Sequence, residues 1–159
     1  MSTSRPGPAL DDQPVPVRVK LAAAWTSLTL LYAYVDILNF YTPGVVADIL
    51  DGRVFEFDVS QTFSTVALAL VAVPTLMVVL SAMLPARANR VTNLVVAALY
   101  VPVTAFNLSG GSWLAFYGLG VALELALLAV ILRWAWTWPR TAPSLMTAPD
   151  RAVPAQQPA

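Results

Sequence analysis

Asp36 and Glu124 are the residues of this chain that architecture alone explains least. Each is the only acidic residue in a long apolar run, Leu21–Tyr41 for the first and Trp113–Trp134 for the second. Arg133, at the far edge of the second run, is the sole basic residue inside any such run. A carboxylate at membrane depth costs roughly 3 kcal/mol or more, so a pair of them points to a task. In a polar, water-accessible cavity they can hold a proton, a cation or a hydroxylated lipophilic ligand. Held in two different environments, they can instead serve as an acid–base pair on a lipid or quinone-like substrate. No nucleophile, metal motif or nucleotide-binding loop accompanies them. A third reading, without chemistry, is an accessory subunit of a membrane complex.

Their candidate partners fall into stripes. Trp25, Thr29, Tyr32, Asp36 and Asn39 are spaced 4, 3, 4, 3, and Asn93, Ala97, Tyr100, Thr104 and Asn107 repeat that spacing. Such a period draws one line along a helix packed against others. Gln61, Thr65 and Thr75 supply a face in a further run, and Tyr117, Gly120 and Glu124 one in the last. Polar stripes on apolar helices turn away from lipid, toward a bundle interior. At about 1.5 Å per residue, Asp36, Thr65, Asn107 and Tyr117 fall roughly 6–8 Å below one surface, and Tyr32, Tyr100 and Glu124 near the midplane. The hydroxyl and amide residues alone are adequately explained as hydrogen-bonded glue between helices, worth about 0.6 kcal/mol each. Carboxyl groups are expensive glue, so Asp36 and Glu124 are the expected site, with Tyr32, Asn39, Thr65, Tyr100, Asn107 and Tyr117 as its lining. Asp36 is expected to point into the bundle, within hydrogen-bond reach of the third or fourth span.

The elements that must position these groups are transmembrane helices. Runs 21–41, 61–84, 91–108 and 113–134 are each long enough for a bilayer core of roughly 30 Å. With 58% hydrophobic and 11% charged residues, the 159-residue chain reads as an all-α integral membrane four-helix bundle over residues 17–138. The tails, 1–16 and 139–159, are rich in proline and read as disordered. After the first helix, Pro43-Gly44 breaks the chain, and Val45–Leu50 reads as a short amphipathic turn in the outer interface, closed by Gly52. Ser60 is placed to cap the second span. Gly118, Ala122 and Ala126 form a small-residue ridge suited to close packing within the bundle or between protomers. Pro74 and Pro102 each free a backbone carbonyl in mid-span.

Eight of the nine basic residues lie on one side of the spans, Arg53 being the exception. The positive-inside rule then puts both termini in the cytoplasm, with Trp134, Trp136 and Trp138 as an inner interfacial anchor. The first span is too long, and too far from the start, for a signal peptide. A preference for Arg over Lys, with abundant Ala and Val, suits a GC-rich bacterial genome, hence a bacterial inner membrane. Zero net charge gives no basic surface for nucleic acid. With no Cys and no His, disulfides, imidazole–haem ligation and the usual zinc sites are excluded, and no cofactor or metal is expected. Asp48, Asp51, Glu56 and Asp58 in the outer loop read as a solvated acidic surface rather than a cation site. The expected partners are the lipid bilayer, a small lipophilic ligand or a proton or cation, and a second copy or a membrane complex.

Lys20 through Ser27, then Tyr32, Asp36 and Tyr41-Thr42-Pro43-Gly44, resemble an uncharacterised bacterial family of small four-span membrane proteins. Gln61-Thr62-Phe63, Leu84-Pro85-Ala86 with Asn89-Arg90, and Trp134 through Pro139 carry the same resemblance, over about residues 18–139. It implies the architecture and no activity. In size and helix count alone the chain also resembles DoxX-like membrane proteins, and without a shared motif nothing transfers from them.

Overall fold

The computed structural model describes residues 13–109 and 113–139, so nearly all of the two expected tails lies outside the described residues. Four long helices carry the fold: α1 (Val17–Asn39), α3 (Gln61–Met83), α4 (Ala86–Phe106) and α5 (Leu114–Trp136). They run up and down. Asn39 at the end of α1 meets Tyr117 at the start of α5, and Lys20 at the start of α1 meets Trp134 at the end of α5. The end holding the start of α1 is called here the base, and the opposite end the rim. α1 packs on α3 and α5, and α5 packs on α4, while α3 and α4 touch sparingly.

At the rim, α2 (Val45–Leu50) begins after Gly44, whose φ of 93° suits a residue without a side chain. A two-stranded ribbon follows, β1 (Arg53–Val54) against β2 (Phe57–Asp58), where the sequence suggested only a solvated acidic loop. Asp48 and Arg53 pair across this cap at 4.0 Å. Phe55 sits at the tip with φ of 52°, a left-handed conformation that costs a side-chain-bearing residue about 1–2 kcal/mol. Ser60 accepts from the amide of Phe63 and so caps α3, as its position predicts.

Helix bounds depart from the apolar runs. α1 starts at Val17 and α4 at Ala86, because Pro16 and Pro85 precede the first turns and fit there. α4 ends at Phe106, short of Leu108, and Asn107–Ser109 form a single 3-10 turn.

The outer surface is apolar and the interior partly polar. Leu68, Leu76, Leu99 and Leu119 are exposed, whereas Ser81, Asn89, Asn93, Thr104 and Glu124 are buried. Burial of polar groups beneath an apolar exterior is the arrangement expected when lipid, not water, surrounds the bundle. α1, α3 and α5 are each long and apolar enough to cross a membrane. α4 has the buried face Asn89, Asn93, Ala97, Tyr100 and Thr104, so much of its polarity faces inward. The base half is closed by Leu21, Trp25, Leu28, Met77, Leu128 and Ile131, each at most 1% exposed.

Two expectations about small and kinking residues resolve here. The ridge of Gly118, Ala122 and Ala126 packs on no helix of the bundle: nothing lies within 4 Å of a Cβ built at Gly118, and both alanines are exposed. Gly120 makes the close approach instead, with the Val35 Cγ2 methyl 3.3 Å from where its Cβ would stand. Pro74 is buried in α3, and the carbonyl its missing N–H leaves open, that of Leu70, accepts from the Tyr100 hydroxyl.

Candidate functional site

α5 turns one face inward along its length: Tyr117, Gly120, Val121, Glu124, Leu128, Ile131 and Ala135 are all buried. Glu124 is the acidic member of that face and is 1% exposed. Its neighbours are neutral. Asn107 Nδ2 donates to Glu124 Oε2 at 3.5 Å, near the outer limit for a hydrogen bond, and the Thr104 side chain lies close to the carboxylate. The Tyr32 hydroxyl lies 3.0 Å from Thr104 Oγ1. A threonine hydroxyl carries one proton. A Thr104 hydroxyl that turned its proton to Glu124 would accept from Tyr32, giving a chain polarised toward the carboxylate.

No basic side chain joins them. Among the described residues the one ion pair is Arg53–Asp48, at the rim surface. A carboxylate offers about four acceptor positions, and one donor, Asn107, occupies one here, leaving capacity for a further donor or cation.

A second polar cluster, nearer the base, provides the contrast. Asn93 Oδ1 accepts from Trp25 Nε1 at 2.6 Å and from Ser81 Oγ at 3.2 Å. Asn93 Nδ2 donates to the Asn89 carbonyl at 2.9 Å and to Asn89 Oδ1 at 2.6 Å, and Asn89 Nδ2 donates to the Ser81 carbonyl. Every donor and acceptor of the Asn93 amide is used. The cluster joins α1, α3 and α4, and its central amide has nothing left for a ligand, so it reads as structural. Ser81 was not singled out from the sequence, and Asn89 entered only through the family resemblance. Asn89 lies one turn before Asn93 and could have been found by extending that stripe toward the base.

Asp36 stands apart from Glu124. It lies on α1 between Tyr32 and Asn39, is exposed, and its carboxyl group makes no hydrogen bond to another described residue, contrary to the expected inward contact. It is close enough to interact electrostatically with Glu124 and Tyr117. The inward contact at its level belongs to Asn39, whose Oδ1 accepts from the Tyr117 hydroxyl at 2.7 Å. Residues 36 and 39 are three apart, about 300° around a helix, so one stripe can divide between the interior and its edge.

Of the other expected lining residues, Tyr100 is buried but spends its hydroxyl on Leu70 and its ring edge-on against Trp25 at 6.4 Å. Thr65 is exposed and bonds the carbonyl of Gln61 in its own helix, so it does not join the group. Asn107, in the 3-10 turn that follows α4, meets Glu124.

No curated protein and no solved structure matches the chain. A family described as of unknown function, DUF6326, matches residues 16–144, the whole helical bundle. The chain belongs to that family.

Proposed function

We propose that the protein is a four-span membrane protein that binds a proton, or another small cation, at Glu124, with Asp36 relaying it at the rim. One observation carries this reading: Glu124 is 1% exposed, bonded only by neutral donors, and retains unused acceptor positions. An unpaired buried carboxylate costs several kcal/mol, and a bound cation removes that cost. Thr104 and Tyr32 then act as hydroxyl relays, since each can pass a proton on while accepting another. The apolar seal at the base makes access one-sided, so the reading is of a binding or sensing site rather than a through channel. The inward polar face of α4 supports its counting as the fourth span. The basic residues at the base support a cytoplasmic base and an outer rim, in a bacterial inner membrane.

The test is a pH titration of tryptophan fluorescence in the reconstituted protein. Wild type should show a transition that Glu124→Gln removes and Asp36→Asn slows without removing. A transition unchanged in Glu124→Gln overturns the assignment.

A further inference from the structure

Along the outside of α1 and α5 runs a groove that the carboxyl site does not use. Its upper part, about 360 Å³, is lined by Ser27, Leu31, Leu123, Ala126, Leu127 and Val130. Its lower part shares Ser27, Leu127 and Val130 and continues to Ala23, Lys20 and Trp134. We propose that this groove seats one acyl chain of an anionic phospholipid, with the lipid phosphate against Lys20. The proposal is independent of the Glu124 site and rests only on α1 and α5 lying in a bilayer.

Length, dryness and charge converge on that occupant. From Lys20 to Leu31 the helix rises about 16 Å, close to the roughly 15 Å of one leaflet's hydrocarbon. The Ser27 hydroxyl is spent on the Ala23 carbonyl at 3.0 Å, so the groove offers a chain no competing donor. At its mouth Lys20 has no acidic partner within 4.0 Å among the described residues; its ammonium lies 5.9 Å from the centre of the Trp134 ring, which holds it at the groove. A fixed cation at the interfacial end of a dry, leaflet-long groove complements a phosphate bearing an acyl tail. Among the described residues the base end carries no acidic side chain that a second copy could set against that cation.

The experiment is native mass spectrometry of full-length protein released from vesicles of equal phosphatidylglycerol and phosphatidylcholine. Wild type should retain one phosphatidylglycerol per chain. Lys20→Gln should lower the ratio of retained phosphatidylglycerol to phosphatidylcholine about fivefold, the factor that roughly 1 kcal/mol per interfacial Lys implies. Lys20→Arg should keep the ratio, and so should Arg87→Gln, on α4 away from the groove. Ala126→Trp, which fills the upper groove, should release both lipids while helicity by circular dichroism is unchanged. An unchanged ratio in Lys20→Gln, retention in Ala126→Trp, or lipid-free dimers in wild type would each overturn the proposal, the last by assigning the groove to a second copy. Adding inorganic phosphate should displace nothing; displacement would mean a free-anion site.

Discussion

Tyr100 donates its hydroxyl to the carbonyl of Leu70, the acceptor that Pro74 strands four residues further along α3. The helix break and its repair thus come from different helices, and this bond ties α3 to α4 where the two otherwise touch little.

Tyr100→Phe should therefore cost about 1–3 kcal/mol, the penalty of an unsatisfied buried acceptor. In a Pro74→Ala background the helix regains its own donor, and the same change should cost much less. A double-mutant cycle on unfolding in mixed micelles checks this, and equal costs in both backgrounds would refute the coupling.

Asn93→Leu should destabilise more than Tyr100→Phe, because it strands the Trp25 indole, the Ser81 hydroxyl and the Asn89 amide together. The expected loss exceeds about 2 kcal/mol, with ligand or proton binding unaffected in the fraction that remains folded. A melting temperature equal to wild type would show that the cluster is not structural.

Phe55→Gly should raise stability by about 1 kcal/mol, since glycine adopts the positive φ of that position without strain. Phe55→Ala, which keeps a Cβ, should give no such gain. Thermal unfolding of the pair separates backbone strain from any role of the ring.

Sidedness is tested by labelling, because the natural chain has no cysteine to interfere. Leu50→Cys, at an 82% exposed position near the rim, should react with an impermeant reagent from outside, and Ala88→Cys should not. The reverse pattern would invert the proposed orientation.

The helices were legible in the sequence because their apolar runs are long, and the inward stripes because Tyr32, Tyr117 and Glu124 recur at helical spacing. Termini were less legible: prolines at 16 and 85 start helices that hydropathy alone begins later. The carboxyl pair was legible only in part. Glu124 is buried, but Asp36 sits at the edge, since 3, 4 spacing defines a stripe and not its rotation toward a neighbour. Asn107 meets Glu124 although counting rise per residue puts the two at different depths, because side chains reach across such an offset. Thr65 misled because a threonine can satisfy its hydroxyl on its own helix, leaving no need for an inward partner.

The central claim is that Glu124 takes up a proton within the bundle. Infrared spectroscopy of the protein in lipid, with glutamate labelled by carbon-13, reads that event as the carboxylic C=O band. The band should rise and fall with pH in wild type, shift when Asn107→Leu removes a hydrogen bond, and vanish from the difference spectrum in Glu124→Gln. A wild-type difference spectrum identical to that of Glu124→Gln would contradict the account.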